Sequence, residues 1–199
     1  SSLKTARNKI RHFKPDIVHV HNFFPQISPS IYGACAAENA PVVQTLHNYR
    51  LICPGATLMR QGKICEQCIV GSPYQAAWYG CYRGSKLGSL VVAHMVAQHR
   101  KNGTWQHKVN RFIALTHFAK SKFVEAGFPA DKISVKANSI LDPQPISRIK
   151  PTNIQPFALY VGRISEEKGI DTLLKAWSTM AEQDLLKVAG TGPLEGLLT

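Results

Sequence analysis

The 199-residue sequence contains no long hydrophobic run. Its most apolar stretch, residues 87–96, is interrupted by Gly88, Ser89 and His94. A membrane-spanning helix needs about 20 consecutive apolar residues, so the sequence predicts no transmembrane segment. The composition, 44% hydrophobic and 18% charged, is that of a folded globular protein and excludes a disordered chain.

Acidic residues are also scarce. Against 24 Lys and Arg stand 12 Asp and Glu, which gives a net charge of +12. The excess lies in residues 1–150, which carry +14, whereas residues 151–199 carry −2. A basic surface attracts phosphorylated substrates, anionic lipid or nucleic acid. Because the basic residues are scattered and no helix-turn-helix, RNP or zinc-finger signature is present, we expect no nucleic-acid partner.

Helical and strand patterns alternate along the chain, which predicts an α/β fold with Rossmann-like parallel sheets. The strand patterns are nearly all apolar, as expected for strands that are covered on both faces. Strands are predicted at 16–21, 41–46, 111–115, 133–136, 157–161 and 186–189, and helices at 3–13, 28–39, 85–100, 118–126 and 169–182.

A proline-rich stretch divides the chain. Residues 141–156 contain four prolines and little hydrophobic periodicity, which predicts an interdomain linker. We therefore expect one domain at 1–150, with a cysteine-rich insertion at about 50–84, and the start of a second domain at 151–199. The second stretch is shorter than an ordinary domain. We expect the chain to be a piece of a longer protein, with the first domain missing its N-terminal part.

Polar residues follow several of the predicted strands. Ligands of parallel α/β folds bind at the carboxyl ends of the strands, and a histidine there can hydrogen-bond a sugar or phosphate and titrates near neutrality. His47 is the favoured candidate. The alternative for His47 is a surface or structural histidine, and the alternative for His21 is that it only satisfies a backbone carbonyl. The weaker candidates are His21, Asn22, Thr116 and Asn138.

Four cysteines fall in the predicted insertion as C-x11-C-x2-C-x12-C: Cys53, Cys65, Cys68 and Cys81. Thiolates brought together from separate turns suit a tetrahedral zinc site. Such a zinc would be structural, since four cysteines leave no open coordination position. Disulfides or four reduced thiols are the alternatives. Cys35 lies apart in an apolar helix, where we expect a small buried side chain.

The strand predicted at 157–161 leads into a specific motif, Gly-Arg-x4-Lys-Gly, formed by Gly162, Arg163, Lys168 and Gly169. Residues 160–174 resemble the start of the C-terminal domain of group 1 glycosyltransferases (glycosyltransferase family 4, GT-B fold), and residues 186–194 resemble its next strand and turn. Residues 15–22, 41–48, 113–116 and 135–138 resemble the N-terminal domain. The resemblance implies a Rossmann-like acceptor-side domain followed by the start of a nucleotide-sugar-binding domain.

The resemblance also implies an activity. It implies a hexosyltransferase that moves a sugar from a nucleotide-sugar donor to a glycan or lipid-linked acceptor, with retention of configuration, in polysaccharide or glycoconjugate biosynthesis. The acceptor would lie near His47, the implied catalytic residue. The donor diphosphate would bind Gly162, Arg163 and Lys168 at a cleft between the domains. We expect residues 1–199 alone to be inactive, since the family's glycine-rich loop and its C-terminal glutamate pair are absent from them.

The chemistry of the motif agrees with that role. Fixed cations can offset the negative charge on a departing diphosphate. Arginine offers a planar fork of donors, lysine a point charge, and glycine lets a ligand approach the backbone. Solvated surface charges are the alternative. The chain has no Asp-x-Asp triplet, so we expect no catalytic metal. The family often has Gly after the position of Asn138, where this chain has Ser139.

An aromatic-rich stretch, residues 74–82, is followed by Arg83 and Lys86. Tyr and Trp favour bilayer interfaces, and Lys and Arg are attracted to anionic lipid, so peripheral membrane association is one expectation. The alternative is that Trp78 and Tyr79 pack on the cysteine-rich insertion. We expect the protein in the cytoplasm, at the inner face of the membrane. Other functions left open are a zinc-dependent nucleic-acid-binding module without activity, and a sugar-nucleotide epimerase or phosphorylase.

Overall fold

A computed structural model of the chain describes residues 2–140, 155–180 and 185–198. The chain divides into two units, Ser1–Ile140 and Leu141–Thr199. The sequence predicts a linker at 141–156 and a domain boundary at 150/151. Residues 141–154, which hold most of that linker and the boundary, lie outside the described residues.

Helices and strands alternate through the first unit, as the hydrophobic pattern predicts. In chain order its elements are α1 (Ser2–Phe13), β1 (Val18–Val20), α2 (Ser30–Ala37), β2 (Val42–Leu46), β3 (Met59–Arg60), β4 (Lys63–Ile64), α3 (Gln67–Val70), α4 (Gln75–Tyr79), α5 (Lys86–Lys101), α6 (Thr104–His107), β5 (Arg111–Ala114), α7 (His117–Glu125) and β6 (Ile133–Val135).

Four of these strands form one parallel sheet in the order β1-β2-β5-β6. Val18 pairs with Val42, and Val43 pairs with Arg111. The central strand β2 is buried along most of its length, which suits a parallel sheet with both faces covered. The predicted parallel α/β class is confirmed.

An aromatic cluster fills the core beside the sheet. Phe112 on β5 is fully buried, and its ring centroid lies 5.1 Å from that of Phe128. Trp105 on α6 stacks on Phe128 at 5.9 Å and meets Tyr32 on α2 edge-on at 5.5 Å. Buried aromatic side chains contribute much of a core's stabilisation, so this cluster holds α2 and α6 against the sheet.

Helix α7 begins and ends with residues suited to those positions. The Thr116 hydroxyl accepts a hydrogen bond from the N–H of Ala119 at 2.9 Å, which satisfies one of the free donors of the first turn. Gly127, which follows the predicted last residue of this helix, has a φ of +88°. The N–H of Phe128 then donates to the carbonyl of Phe123 at 3.0 Å, as in a Schellman motif.

The predicted insertion contains the hairpin β3–β4 and the short helices α3 and α4 among turns. Gln61 and Gly62 connect the hairpin with φ values of 50° and 71°, as two-residue hairpin turns require. The Lys122 ammonium on α7 donates to the Glu66 carboxylate at 2.8 Å. This ion pair joins the insertion to the sheet domain.

The second unit contains β7 (Phe157–Val161), α8 (Ile170–Trp177) and β8 (Leu185–Ala189), with β7 and β8 paired in parallel. The strands confirm the predicted βαβ start, whereas the helix ends at Trp177, short of the predicted residue 182. Ile164 and Ile170 are buried, but Leu159 and Val161 on β7 remain 57% and 72% exposed.

Candidate functional site

Two histidines meet at the carboxyl ends of neighbouring strands. His21 follows β1 and His47 follows β2, and the Nδ1 atom of His21 lies 2.8 Å from the Nε2 atom of His47. Their rings are stacked with centroids 5.1 Å apart. Strands β1 and β2 are parallel and adjacent, so the residues after them project from the same edge of the sheet. The structure thus brings together two residues that the sequence selected separately.

A third histidine adjoins this pair. The ring of His19 on β1 lies 4.2 Å from that of His21, and its Nε2 atom is 2.8 Å from the Thr45 hydroxyl. Burial lowers the pKa of His47, and the charges of His21 and His19 lower it further. Burial also lowers the pKa of His19, followed by the charges of His21 and Lys136. Protonation of one histidine therefore opposes protonation of its neighbours.

A buried hydrogen-bond network fixes the backbone beneath the histidine pair. The Tyr32 hydroxyl donates to the Gln44 Oε1 atom at 2.5 Å. The Gln44 Nε2 atom donates to the carbonyl of His21 at 3.0 Å and to that of Thr45 at 2.7 Å. Burial raises the pKa of Tyr32, so its hydroxyl remains a donor. Satisfied buried networks of this kind hold their members rigidly.

The histidine pair lines an open cleft of about 400 Å³, its mouth included. We call it the β1–β2 cleft. Its polar lining residues are His21, Asn22, Gln44, Thr45, His47, Asn48 and Arg50. Sequence reasoning missed Gln44 and Arg50. Gln44 could have been identified because it is a polar residue within an apolar strand. Arg50 could have been identified because it lies only three residues after His47.

Asn22 also lies in the β1–β2 cleft, where its Oδ1 atom accepts from the Asn48 Nδ2 atom at 3.1 Å. Thr116 and Asn138, which sequence reasoning assigned to the same cleft, are not among its lining residues in the described part of the chain. Thr116 instead caps α7. Asn138 is an exposed residue after β6, and β6 is the sheet edge opposite β1.

In the second unit, Gly162 and Arg163 lie at the end of β7 and line a shallow cavity with the loop after β8. A Cβ atom at Gly190 or Gly192 of that loop would run into the backbone carbonyl of Gly162 or Ile164. Glycine is required here because the two loops touch along their backbones.

The predicted donor-side cations have an acidic neighbour. Arg163 and Lys168 are both exposed, and Lys168 ends the 3-10 turn Glu166–Lys168. Hydrogen bonding to its own backbone amide is the largest of the causes that hold the pKa of Glu167 below its usual range, and the charges of Arg163 and Lys168 act in the same direction. Lys168 is not among the residues that line the cavity beside Arg163 within the described ranges.

Residues 1–140 match the family model described as Glycosyltransferase Family 4. The chain belongs to this glycosyltransferase family. No curated protein matches it significantly. The match covers the β1–β2 cleft and the cysteine-rich insertion, whereas Arg163 and Lys168 lie beyond the matched residues.

Family membership confirms the resemblance on which the sequence interpretation rests. The parallel sheet of the first unit is the Rossmann-like domain of a GT-B glycosyltransferase. The general activity of a family 4 chain is glycosyl transfer, and its general substrates are a sugar donor and an acceptor. Among the helices that the structure describes, none combines the length and apolar character needed to cross a bilayer.

The four cysteines of the insertion, Cys53, Cys65, Cys68 and Cys81, carry free thiols. Cys53 and Cys68 are buried. Gly55 lies between Cys53 and Cys81, since a Cβ atom there would be 3.7 Å from the Cys53 Sγ atom and 3.6 Å from the Cys81 Cβ atom. The Arg100 guanidinium on α5 donates to the carbonyl of Cys68 at 2.8 Å. The fifth cysteine, in α2, is fully buried, as predicted.

The thiols are close enough to influence one another's charge. Burial, and after it the charges of Cys53, Cys81 and Cys65, raise the pKa of Cys68 to about 12, against an opposing effect of Arg100. Among the described residues, no three Cys, His, Asp or Glu side chains are arranged so that they could hold a metal ion. Thiolate ligands suit zinc chemically, but the tetrahedral arrangement is not formed. The zinc site stays a prediction.

Proposed function

We propose that the protein is a retaining hexosyltransferase that moves a sugar from a nucleotide-sugar donor to a glycan or lipid-linked acceptor in polysaccharide or glycoconjugate synthesis. The observation that carries the proposal is the position of His47. It lies after a central parallel strand, pairs with His21 at 2.8 Å, and falls within the residues that match the family. This is the edge of the sheet at which ligands of such folds bind.

The transfer step assigns a role to each group. The acceptor hydroxyl oxygen forms a bond to the anomeric carbon of the donor sugar, and the bond from that carbon to the diphosphate oxygen breaks. The hydroxyl proton leaves with the nucleoside diphosphate. Arg163 and Lys168 offset the charge on the departing diphosphate in place of a metal, and Gly162 lets it approach the backbone. His47 hydrogen-bonds the reacting groups and is held by His21.

The cysteine-rich insertion has a structural role in this proposal. Cys53, Cys65, Cys68 and Cys81 would close around one zinc ion, which would supply a rigid tetrahedral link between turns that contain little regular structure. The position of Gly55 supports this assignment, because a Cβ atom there would lie 3.7 Å from the Cys53 Sγ atom and 3.6 Å from the Cys81 Cβ atom.

The protein also docks on the cytoplasmic face of an anionic membrane in this proposal. The α4–α5 surface, defined here as Trp78, Leu87 and Val91, is apolar and 78%, 73% and 64% exposed. Arg83 and Lys86 lie in the turn between α4 and the body of α5. An exposed tryptophan beside aliphatic and basic side chains suits the lipid interface.

The test is a transfer assay on the full-length protein with a panel of nucleotide sugars. We expect release of nucleoside diphosphate from one donor, dependent on an acceptor, and a product whose anomeric configuration by proton NMR matches that of the donor. An inverted product would overturn retention. A protein that turns over no nucleotide sugar but binds nucleic acid would favour the zinc-dependent binding module instead.

A further inference from the structure

We propose that the β1–β2 cleft binds a phosphate group of the acceptor and that Arg50 is its principal ligand. The inference rests on the proposed transferase function and adds the chemical class of the acceptor, a phosphorylated molecule. It follows from an arginine that has no acidic partner and from a cleft in which side-chain oxygens are already engaged while donors remain free.

Arg50 is a half-buried cation at the edge of the β1–β2 cleft. Its guanidinium lies 5.3 Å from the ring centroid of Phe24 and 5.1 Å from that of Tyr82. One of its N–H groups donates to the carbonyl of Pro54. The two rings restrict the guanidinium and remove part of its hydration, so that its remaining N–H donors are fixed at the cleft.

None of the ion pairs within the described residues includes Arg50. Between Glu38 and Glu125 the sequence contains 11 Lys and Arg but a single acidic residue, Glu66, and that carboxylate is paired with Lys122. A partly buried charge without a counter-ion is costly. A bound anion would supply the missing charge.

A second guanidinium adds to the imbalance. Arg83 lies 5.3 Å from the ring centroid of Tyr82, the same ring that Arg50 contacts. Burial lowers the pKa of Arg50 and the charge of Arg83 lowers it too, while Tyr82 and a thiolate at Cys53 would act in the opposite direction. Two neighbouring guanidinium groups repel each other, and an anion between them or beside them relieves that repulsion.

The other cleft residues leave donors free rather than acceptors. None of the 11 lining residues is acidic. The Oε1 atom of Gln44 accepts a hydrogen bond from the Tyr32 hydroxyl, and the Oδ1 atom of Asn22 accepts one from the Asn48 side chain. The Oδ1 atom of Asn48 accepts from the backbone N–H of Arg50. Within the described residues, these bonds leave the Asn22 NH2 group as a free donor.

The histidine pair adds one more donor. With both rings neutral, one proton lies between His21 and His47, and one of the two outer ring nitrogens carries another. Sugar hydroxyls need acceptors as well as donors, whereas a phosphate group only accepts. The cleft therefore fits a phosphate better than it fits an uncharged sugar.

The phosphate could belong to a soluble sugar phosphate or to a lipid-linked diphosphate, and the assay has one arm for each. The full-length protein is given its donor with a sugar phosphate, with a short-chain prenyl diphosphate sugar in detergent, and with the same sugar lacking phosphate. One of the two phosphorylated acceptors should be used by the wild-type protein. For that acceptor, we expect Arg50→Met to raise the KM by about 10- to 100-fold, the effect of one charge-assisted hydrogen bond.

The control Lys101→Met removes the same charge from an exposed site on α5 and should leave the acceptor KM and the donor KM unchanged. The acceptor KM of Arg50→Lys should fall between that of Arg50→Met and that of the wild-type protein. The slow hydrolysis of donor without acceptor should be unchanged in Lys101→Met, and the increase in KM in Arg50→Met should be confined to the acceptor. Efficient transfer to the unphosphorylated sugar, with the same KM in the wild-type protein and Arg50→Met, would overturn the inference and leave the transferase function intact. Absence of donor turnover in the wild-type protein would overturn the transferase function itself.

A binding measurement covers the case in which Arg50→Met does not fold. Inorganic phosphate is titrated into a full-length protein that carries both Arg163→Ala and Lys168→Ala, so that both proposed donor-side cations are removed. Histidine ring NMR should show the pKa of His47 rising as phosphate binds, because a nearby anion favours the charged form. A titration of His47 that does not change in saturating phosphate would place the phosphate elsewhere and contradict the proposal.

Discussion

The Nδ1 atom of His21 lies 2.8 Å from the Nε2 atom of His47. This contact joins two residues 26 positions apart in sequence. Because burial and the neighbouring histidines lower the pKa of His47, the neutral form of His47 predominates at neutral pH.

The first prediction concerns this pair. His47→Ala should reduce kcat/KM by about 10²- to 10⁴-fold, the range for groups that exchange protons or hydrogen bonds with reacting atoms. His21→Asn removes a charge that lowers the pKa of His47, so the acidic limb of the pH–rate profile should move to higher pH. The exposed His107→Asn serves as the control. An unmoved acidic limb in His21→Asn would contradict the coupling.

The lowered pKa of His47 also makes the free energy of unfolding depend on pH. A histidine whose pKa is depressed by folding binds its proton more tightly in the unfolded chain, so acid favours unfolding. The stability of the wild-type protein should therefore decline as pH falls from about 6.5, the ordinary histidine value, towards the lower pKa of folded His47. His47→Gln should decline less over this window in urea unfolding followed at several pH values.

The second prediction concerns the donor-side cations. In the full-length protein, Arg163→Ala and Lys168→Ala should each lower kcat by about 10²-fold, the scale for removing one preorganised charge stabiliser. Both side chains are exposed, so melting temperatures should hardly change. Lys175→Ala is a matched control, since it removes an exposed lysine whose ion pair with Asp171 contributes little. Full activity in both variants would exclude the assignment.

The third prediction is the metal content. Protein purified without added metal should contain about one zinc per chain, as four thiolate ligands imply. Cys53→Ser or Cys68→Ser should lose the zinc and lower the melting temperature, and a chelator should do the same to the wild-type protein. Cys35→Ala is the cysteine control and should retain the metal. A zinc-free protein with the same stability would show that the thiols are not ligands.

The fourth prediction is membrane docking through the α4–α5 surface. The protein should co-sediment with vesicles that contain phosphatidylglycerol and not with phosphatidylcholine alone, and salt should weaken the association because it screens the basic residues. Trp78→Ala should reduce binding several-fold, since tryptophan is a strong interfacial anchor. Phe13→Ala removes an aromatic side chain that is 70% exposed on α1 and should have no effect. Indifference to anionic vesicles at low salt would rule docking out.

Some of this architecture follows from sequence pattern alone. The strands β1, β2, β5, β7 and β8 are short apolar runs between helical patterns, and the rule that ligands bind at strand ends leads directly to His21 and His47. Helix α6 escaped prediction because four residues are too few to show a 3.6-residue period. The hairpin β3–β4 had a weak signal in Gln61-Gly62, whose first residue is not a usual partner for a two-residue turn.

The contact of the Arg50 guanidinium with the rings of Phe24 and Tyr82 could not be predicted from the sequence. Phe24 and Tyr82 approach it from distant parts of the sequence, and Tyr82 reaches it through an insertion that has no periodicity. The capping role of Thr116 was not predicted either. A residue after a strand can also be the first residue before a helix, and here the hydroxyl accepts a hydrogen bond from the first turn of α7.

The contact between the loops after β7 and β8 has an evolutionary consequence. Every amino acid other than glycine carries a Cβ atom, and at Gly190 and Gly192 that atom would meet the backbone of the other loop. Purifying selection should therefore act on both codons whatever sugar the enzyme transfers. The side chains around the two loops can vary between lineages, while the two glycines are inherited unchanged.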